Sequence, residues 1–148
     1  MDIRIRHPFE LIVKRLLRFF FSLVWLVNGL WAKVLDGVPR HREIVARILG
    51  EEHALVLTCL IGVGEVLMAA WILSGIWRKG SAAAQIAAVL TMNVIEFLLA
   101  RDLLLFGGWN FLVALAYVGL VAQVEFKPPR GGWGHGASLP IVARRRRG

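Results

Sequence analysis

From Ala54 to Trp77 the chain is apolar without interruption, except for one carboxylic acid, Glu65, near the middle of the run. At 1.5 Å rise per residue such a stretch makes a helix about 36 Å long, enough to cross a roughly 30 Å hydrocarbon core with some tilt. It reads as a membrane span. A carboxylate at that depth costs roughly 2.5–3.5 kcal/mol on insertion scales, so Glu65 is expected to be protonated, paired or beside a water-filled cavity.

The rest of the chain fits the same solvent. Of 148 residues, 57% are hydrophobic and 19% charged, the balance of a small membrane protein with one domain. A net charge of +8 would suggest a nucleic-acid partner in a soluble protein. Here the Lys and Arg lie between apolar runs and in the tail, where they set topology instead. The single cysteine, Cys59, sits inside the apolar run, so no intrachain disulfide, CxxC pair or thiolate metal site can be built.

Residues 1–15 are basic and amphipathic, an arm expected to lie on the membrane. A first span is predicted over 16–35, with Arg18 and Lys33 reaching opposite interfaces and Trp25, Asn28 and Trp31 on one helical face. No small-residue cleavage site follows it, so it reads as uncleaved. Residues 36–53 are too charged to span. Pro39 and Gly50 are expected to bound a short interfacial helix with Ile44, Val45, Ile48 and Leu49 on one side. Further spans are predicted over 54–77, 82–100 and 103–126, with a tight basic turn at Arg78-Lys79-Gly80-Ser81 and a flexible basic tail over 127–148.

The fold class expected is all-α: an integral membrane four-helix bundle over 16–126. Five Lys and Arg in the first arm, two in the second connection and six in the tail place 13 of 18 on one side. The positive-inside rule then puts both termini in the cytoplasm.

That orientation gives each intramembrane polar residue a depth. Asn28 and Lys33 fall in the outer part of the first span, Glu65 near mid-membrane, Asn93 and Glu96 in the outer part of the third, and Asn110 about 10 Å below the outer end of the fourth. Two readings stand. In one, the layer is structural: Lys33 or Arg101 pairs with Glu96 or Asp102, and the asparagines tie helices together. In the other, Trp25, Asn28, Lys33, Glu65, Asn93, Glu96 and Asn110 line a pocket open to the outer side, with Glu65 as the proton-handling acid. A quinone headgroup would suit that pocket, because its carbonyls need donors and Trp25, Trp31 and Trp109 offer aromatic surface. No metal motif, phosphate loop or nucleophile elbow occurs, and no histidine pair lies within the spans to ligate haem.

The segment Trp25-Leu26-Val27-Asn28-Gly29-Leu30-Trp31-Ala32-Lys33-Val34-Leu35, then Pro39 and Ile44-Val45, then Gly62-Val63-Gly64-Glu65, and finally Asp102 followed by Asn110 resemble the DoxX-like family of four-helix bacterial membrane proteins. The resemblance runs from about Arg15 to Ala122. It implies a compact bundle in the bacterial cytoplasmic membrane. The name-giving relatives are associated with a thiosulfate:quinone oxidoreductase, and others with membrane complexes that handle thiol stress. The matching positions are Asn28, Gly29, Lys33, Glu65, Asp102 and Asn110. Ala69 departs from the pattern, standing one turn after Glu65 where a glycine is expected. The expected function is that of a subunit of, or accessory to, a quinone-linked redox complex, not a stand-alone enzyme. The alternative is a non-catalytic scaffold that binds partner proteins. Candidate partners are lipid, subunits of such a complex and further copies of the chain; proton-coupled transport ranks last.

Overall fold

A computed structural model describes residues 3–127, with side chains from Phe9 onward. The tail with Arg144–Arg147, and the side chains of Arg4, Arg6 and His7, lie outside the described residues. Among those described there is helix and no strand. The order is α1 (Ile3–Leu26), a π-helical segment (Val27–Val34), α2 (Arg40–Leu49), α3 (Ala54–Ser74), α4 (Arg78–Leu99), a short 3-10 turn (Arg101–Leu103) and α5 (Trp109–Phe126).

The helix ends follow local chemistry. Pro39 precedes α2 with φ −53°, the value its ring imposes, and Gly50 closes that helix at φ +95°, where a side chain would be strained. Gly75 ends α3 in the left-handed conformation. The connection to α4 is therefore Gly75–Trp77, and Arg78-Lys79-Gly80-Ser81 forms the first turn of α4 instead of the expected loop. Trp71 fixes the corner, its indole N–H donating to the Ile76 carbonyl at 2.8 Å.

Two expectations are corrected. The fourth span was expected from residue 103, but α5 begins at Trp109, because the 3-10 turn and Gly107 at φ +52° occupy the chain before it. The arm and first span were expected as separate pieces, yet α1 runs through Arg15 without a break, since no glycine or proline interrupts the chain there. Among the described residues three helices, α3, α4 and α5, are long and apolar enough to cross a membrane. The stretch 16–35 is divided at Leu26, where α-helical bonding gives way to π-helical bonding.

Packing joins α3 to both α1 and the π segment, α4 to α5, and α2 to α3. Phe21, Trp25, Ala69, Ile72, Ala82, Val121 and Val124 form the buried core between them. Outside it, Phe19, Leu60, Leu67 and Leu98 are each at least 60% exposed, alongside many other large apolar side chains. An apolar surface of this extent needs hydrocarbon around it. This is a membrane protein, and the bilayer is its contact.

Candidate functional site

The site begins with a close backbone approach. A β-carbon on Gly29 would lie 2.5 Å from the carbonyl oxygen of Gly62, and one on Gly62 would lie 2.7 Å from the carbonyl oxygen of Gly29. Only reciprocal glycines allow this crossing of the π segment and α3. On α3 the buried residues are Ala54, Thr58, Gly62, Glu65, Ala69 and Ile72, one face at helical spacing, composed mainly of small and polar groups. Ala69 fits that face without a glycine. Its carbonyl accepts a 3.0 Å bond from the Ser22 hydroxyl.

Opposite Glu65, the π-helical turn presents Lys33. Backbone bonding here steps from i to i+5, as in the 2.9 Å bond from the Leu35 N–H to the Leu30 carbonyl. More residues per turn bring Asn28 and Lys33, five apart, toward one side, whereas Trp31 turns outward to 59% exposure. Lys33 Nζ donates to both oxygens of Glu65, at 2.7 and 2.8 Å, with the two side chains 10% and 6% exposed. The pair leaves no net charge beside the helix crossing. Desolvation offsets much of its Coulomb energy, so its larger effect is to fix how the π segment sits on α3.

Beside the pair lies a cavity of about 270 Å³. All seven ligand-binding candidates line it: Trp25 from α1, Asn28 and Lys33 from the π segment, Glu65 from α3, Asn93 and Glu96 from α4, and Asn110 from the first turn of α5. Asn110 is thus at the helix end and not 10 Å below it. The polar groups differ in what they have left to offer. Asn93 donates one N–H to the Val89 carbonyl at 2.9 Å. Trp25 donates its indole N–H to the Tyr117 hydroxyl, which donates to Gln85 Oε1, each at 2.9 Å. Among the described residues, the Asn28 and Asn110 amides and the Glu96 carboxyl make no side-chain hydrogen bond or ion pair.

The expected pairings of Lys33 or Arg101 with Glu96 or Asp102 are corrected. Lys33 takes Glu65, which the glycine crossing brings nearer. Asp102 meets Arg47 of α2 at 3.3 Å on the exposed surface, and Arg101 stacks its guanidinium 4.7 Å above the Phe97 ring. Trp109 is 72% exposed, so of the three tryptophans expected to offer aromatic surface only Trp25 lines the cavity.

Sequence reasoning missed three polar contacts, one of them at the cavity. Tyr117, the only tyrosine, both lines the cavity and bridges Trp25 to Gln85. Arg18, expected to snorkel, forms a two-nitrogen pair with Glu125. Gln85 is 1% exposed, and its burial inside an alanine-rich helix start was the available signal. Among the described residues no group of three His, Cys, Asp or Glu gathers to hold a metal ion.

A family model described as the DoxX-like family matches residues 22–122, more than half of the chain. No curated protein and no solved structure matches it.

Proposed function

Because this chain belongs to the DoxX-like family, we propose that it is a multi-pass protein of the bacterial inner membrane, a subunit of or accessory to a quinone-linked redox complex, that holds a neutral hydrogen-bonding headgroup in its polar cavity. One observation carries the reading. The cavity combines an internally satisfied Lys33–Glu65 pair with three uncommitted groups, the Asn28 and Asn110 amides and the Glu96 carboxyl. Amide N–H groups and a protonated carboxyl are the donors that carbonyl oxygens need, and Trp25 supplies a flat apolar wall. In this reading Glu65 holds Lys33 in place, and Glu96 is the acid free to exchange a proton. The four-span bundle has α1 with the π segment as its first member and α2 at the interface. Both termini face the cytoplasm; the charge distribution supports this, as does the Arg18–Glu125 pair, which joins α1 to the end of α5.

The scaffold reading has its own support. Among the described residues every buried side-chain nitrogen and oxygen has a partner, as expected when polar groups serve packing alone. Mass spectrometry of small molecules that copurify with the detergent-solubilised protein separates the two. The natural protein should retain a quinone, and folded Asn110→Ala and Glu96→Leu variants should lose it. Copurification of bulk phospholipid alone, with unchanged behaviour of both variants, would leave the scaffold reading standing and reject the quinone site.

A further inference from the structure

Lys33, Glu96 and Met92 line the polar cavity, and the same three residues line a second cavity of about 180 Å³ beneath α2. The two spaces therefore share a wall. The character changes across it. Apart from Lys33, Glu96 and His41, the second cavity is lined by aliphatic side chains, among them Ile44 and Ile48 of α2, Ile61 of α3 and Ile95 of α4. Ile44 and Val45 are the buried face of an amphipathic helix, and that face, with α3 and α4, walls an apolar recess. A hydrocarbon occupant would gain dispersion contacts along such a lining, whereas water would find few partners there. Met92, unbranched and adaptable, is the shared wall residue best able to move aside.

We propose that the two cavities are the two halves of one ligand site, the first taking the headgroup and the second the start of a hydrocarbon chain attached to it. The proposal rests on the headgroup reading above and deepens it by naming the ligand class: a chain-bearing quinone, not a free ring compound. Size agrees. Each cavity alone falls below the roughly 300 Å³ at which small-molecule sites begin, and together they exceed it. Charge agrees as well. Burial, with Lys33 and Arg40 nearby, pushes His41 down to about 4, so its imidazole stays neutral beside the chain at physiological pH. The charged groups facing His41 are Lys33, Arg40 and Glu96, and the first is already paired with Glu65.

Binding of two probes to the full detergent-solubilised chain tests the proposal: a dimethoxy-methyl benzoquinone without a chain, and its decyl derivative. The natural protein should bind the decyl compound at least tenfold more tightly. Ile48→Trp and Ile95→Trp, which fill the second cavity from two different helices, should each abolish that advantage, bringing the decyl compound's affinity down to the ring compound's. Equal affinity of both probes for the natural protein overturns the chain subsite. So does retention of the decyl advantage in both folded variants, which would assign it to the detergent or the lipid-facing surface. Failure of both probes to bind the natural protein rejects the headgroup reading, and this inference with it.

Discussion

Adding a single methyl group at the glycine crossing tests the site's construction most directly. In Gly29→Ala the new β-carbon starts 2.5 Å from the Gly62 carbonyl oxygen and 2.8 Å from the Glu65 β-carbon. Ordinary contact begins at 3.4 Å, so the two backbones must part by about 0.9 Å. The obstruction is backbone on one side and the first carbon of Glu65 on the other, and neither can rotate away. Overpacking of this kind costs about 1–3 kcal/mol. For a chain of this size that is a fall of roughly 3–9 °C in the melting midpoint. Gly62→Ala meets Gly29 from the opposite side at 2.7 Å and should cost about as much. Gly64→Ala is the internal control: it lies on the same helix, two residues away, with nothing within 4 Å of its β-carbon. There the only change is helix propensity, a gain of about 0.5–1 kcal/mol. Thermal unfolding of the three purified variants, followed by tryptophan fluorescence, gives the comparison. If Gly29→Ala or Gly62→Ala melts level with Gly64→Ala, the helices are not in backbone contact and the positioning of Lys33 described above is wrong.

Lys33→Met leaves the Glu65 carboxylate without its partner and should cost about 3–5 kcal/mol, whereas Lys33→Met with Glu65→Gln should cost less than either change alone; additive losses in a denaturant titration would refute the pairing. Tyr117→Phe removes the donor to the buried Gln85 oxygen and should cost about 1–3 kcal/mol, with Tyr117→Phe/Gln85→Leu recovering part of it. His41 is held low at about 4, so between pH 6.5 and 4 the unfolded chain binds the proton first, and stability falls as the pH falls through that window. Because His41 is partly open to solvent, the loss should be only about 1 kcal/mol, and His41→Gln should remove that slope from the pH dependence of the melting midpoint.

Much of the site was legible because membrane burial makes polar residues conspicuous. Glu65, Asn93, Glu96, Asn28 and Asn110 stand out against apolar runs, and elementary depth counting brings them into one layer. The bounds of α2 were equally readable, since Pro39 and Gly50 act through their own backbones. What was not readable was rotation. The Trp25, Asn28, Trp31 face assumed 3.6 residues per turn, and the π-helical segment breaks that assumption after Leu26, turning Trp31 out and Lys33 in. Partner choice was hidden for the same reason, because Lys33 had Glu65, Glu96 and Asp102 to choose from and only the crossing selects Glu65. Arg18 and Glu125, 107 positions apart, left no local trace at all.

The π-helical segment also sets how the gene for such a chain can change length. A regular helix cannot absorb a deletion, since each lost residue turns everything beyond it by about 100°, but the wider π-helical turn carries one residue more than an α-helical one. Deleting Leu30 or Trp31 would let the segment relax to regular α-helical winding. Asn28 and Lys33 would then stand four residues apart, about one turn of an α-helix as five are of the π segment, so Lys33 would keep its side and its reach to Glu65. In this stretch a single-codon deletion is taken up by the winding, whereas the same loss in the regular helix α3 between Gly62 and Glu65 would turn that acid about 100° away from Lys33.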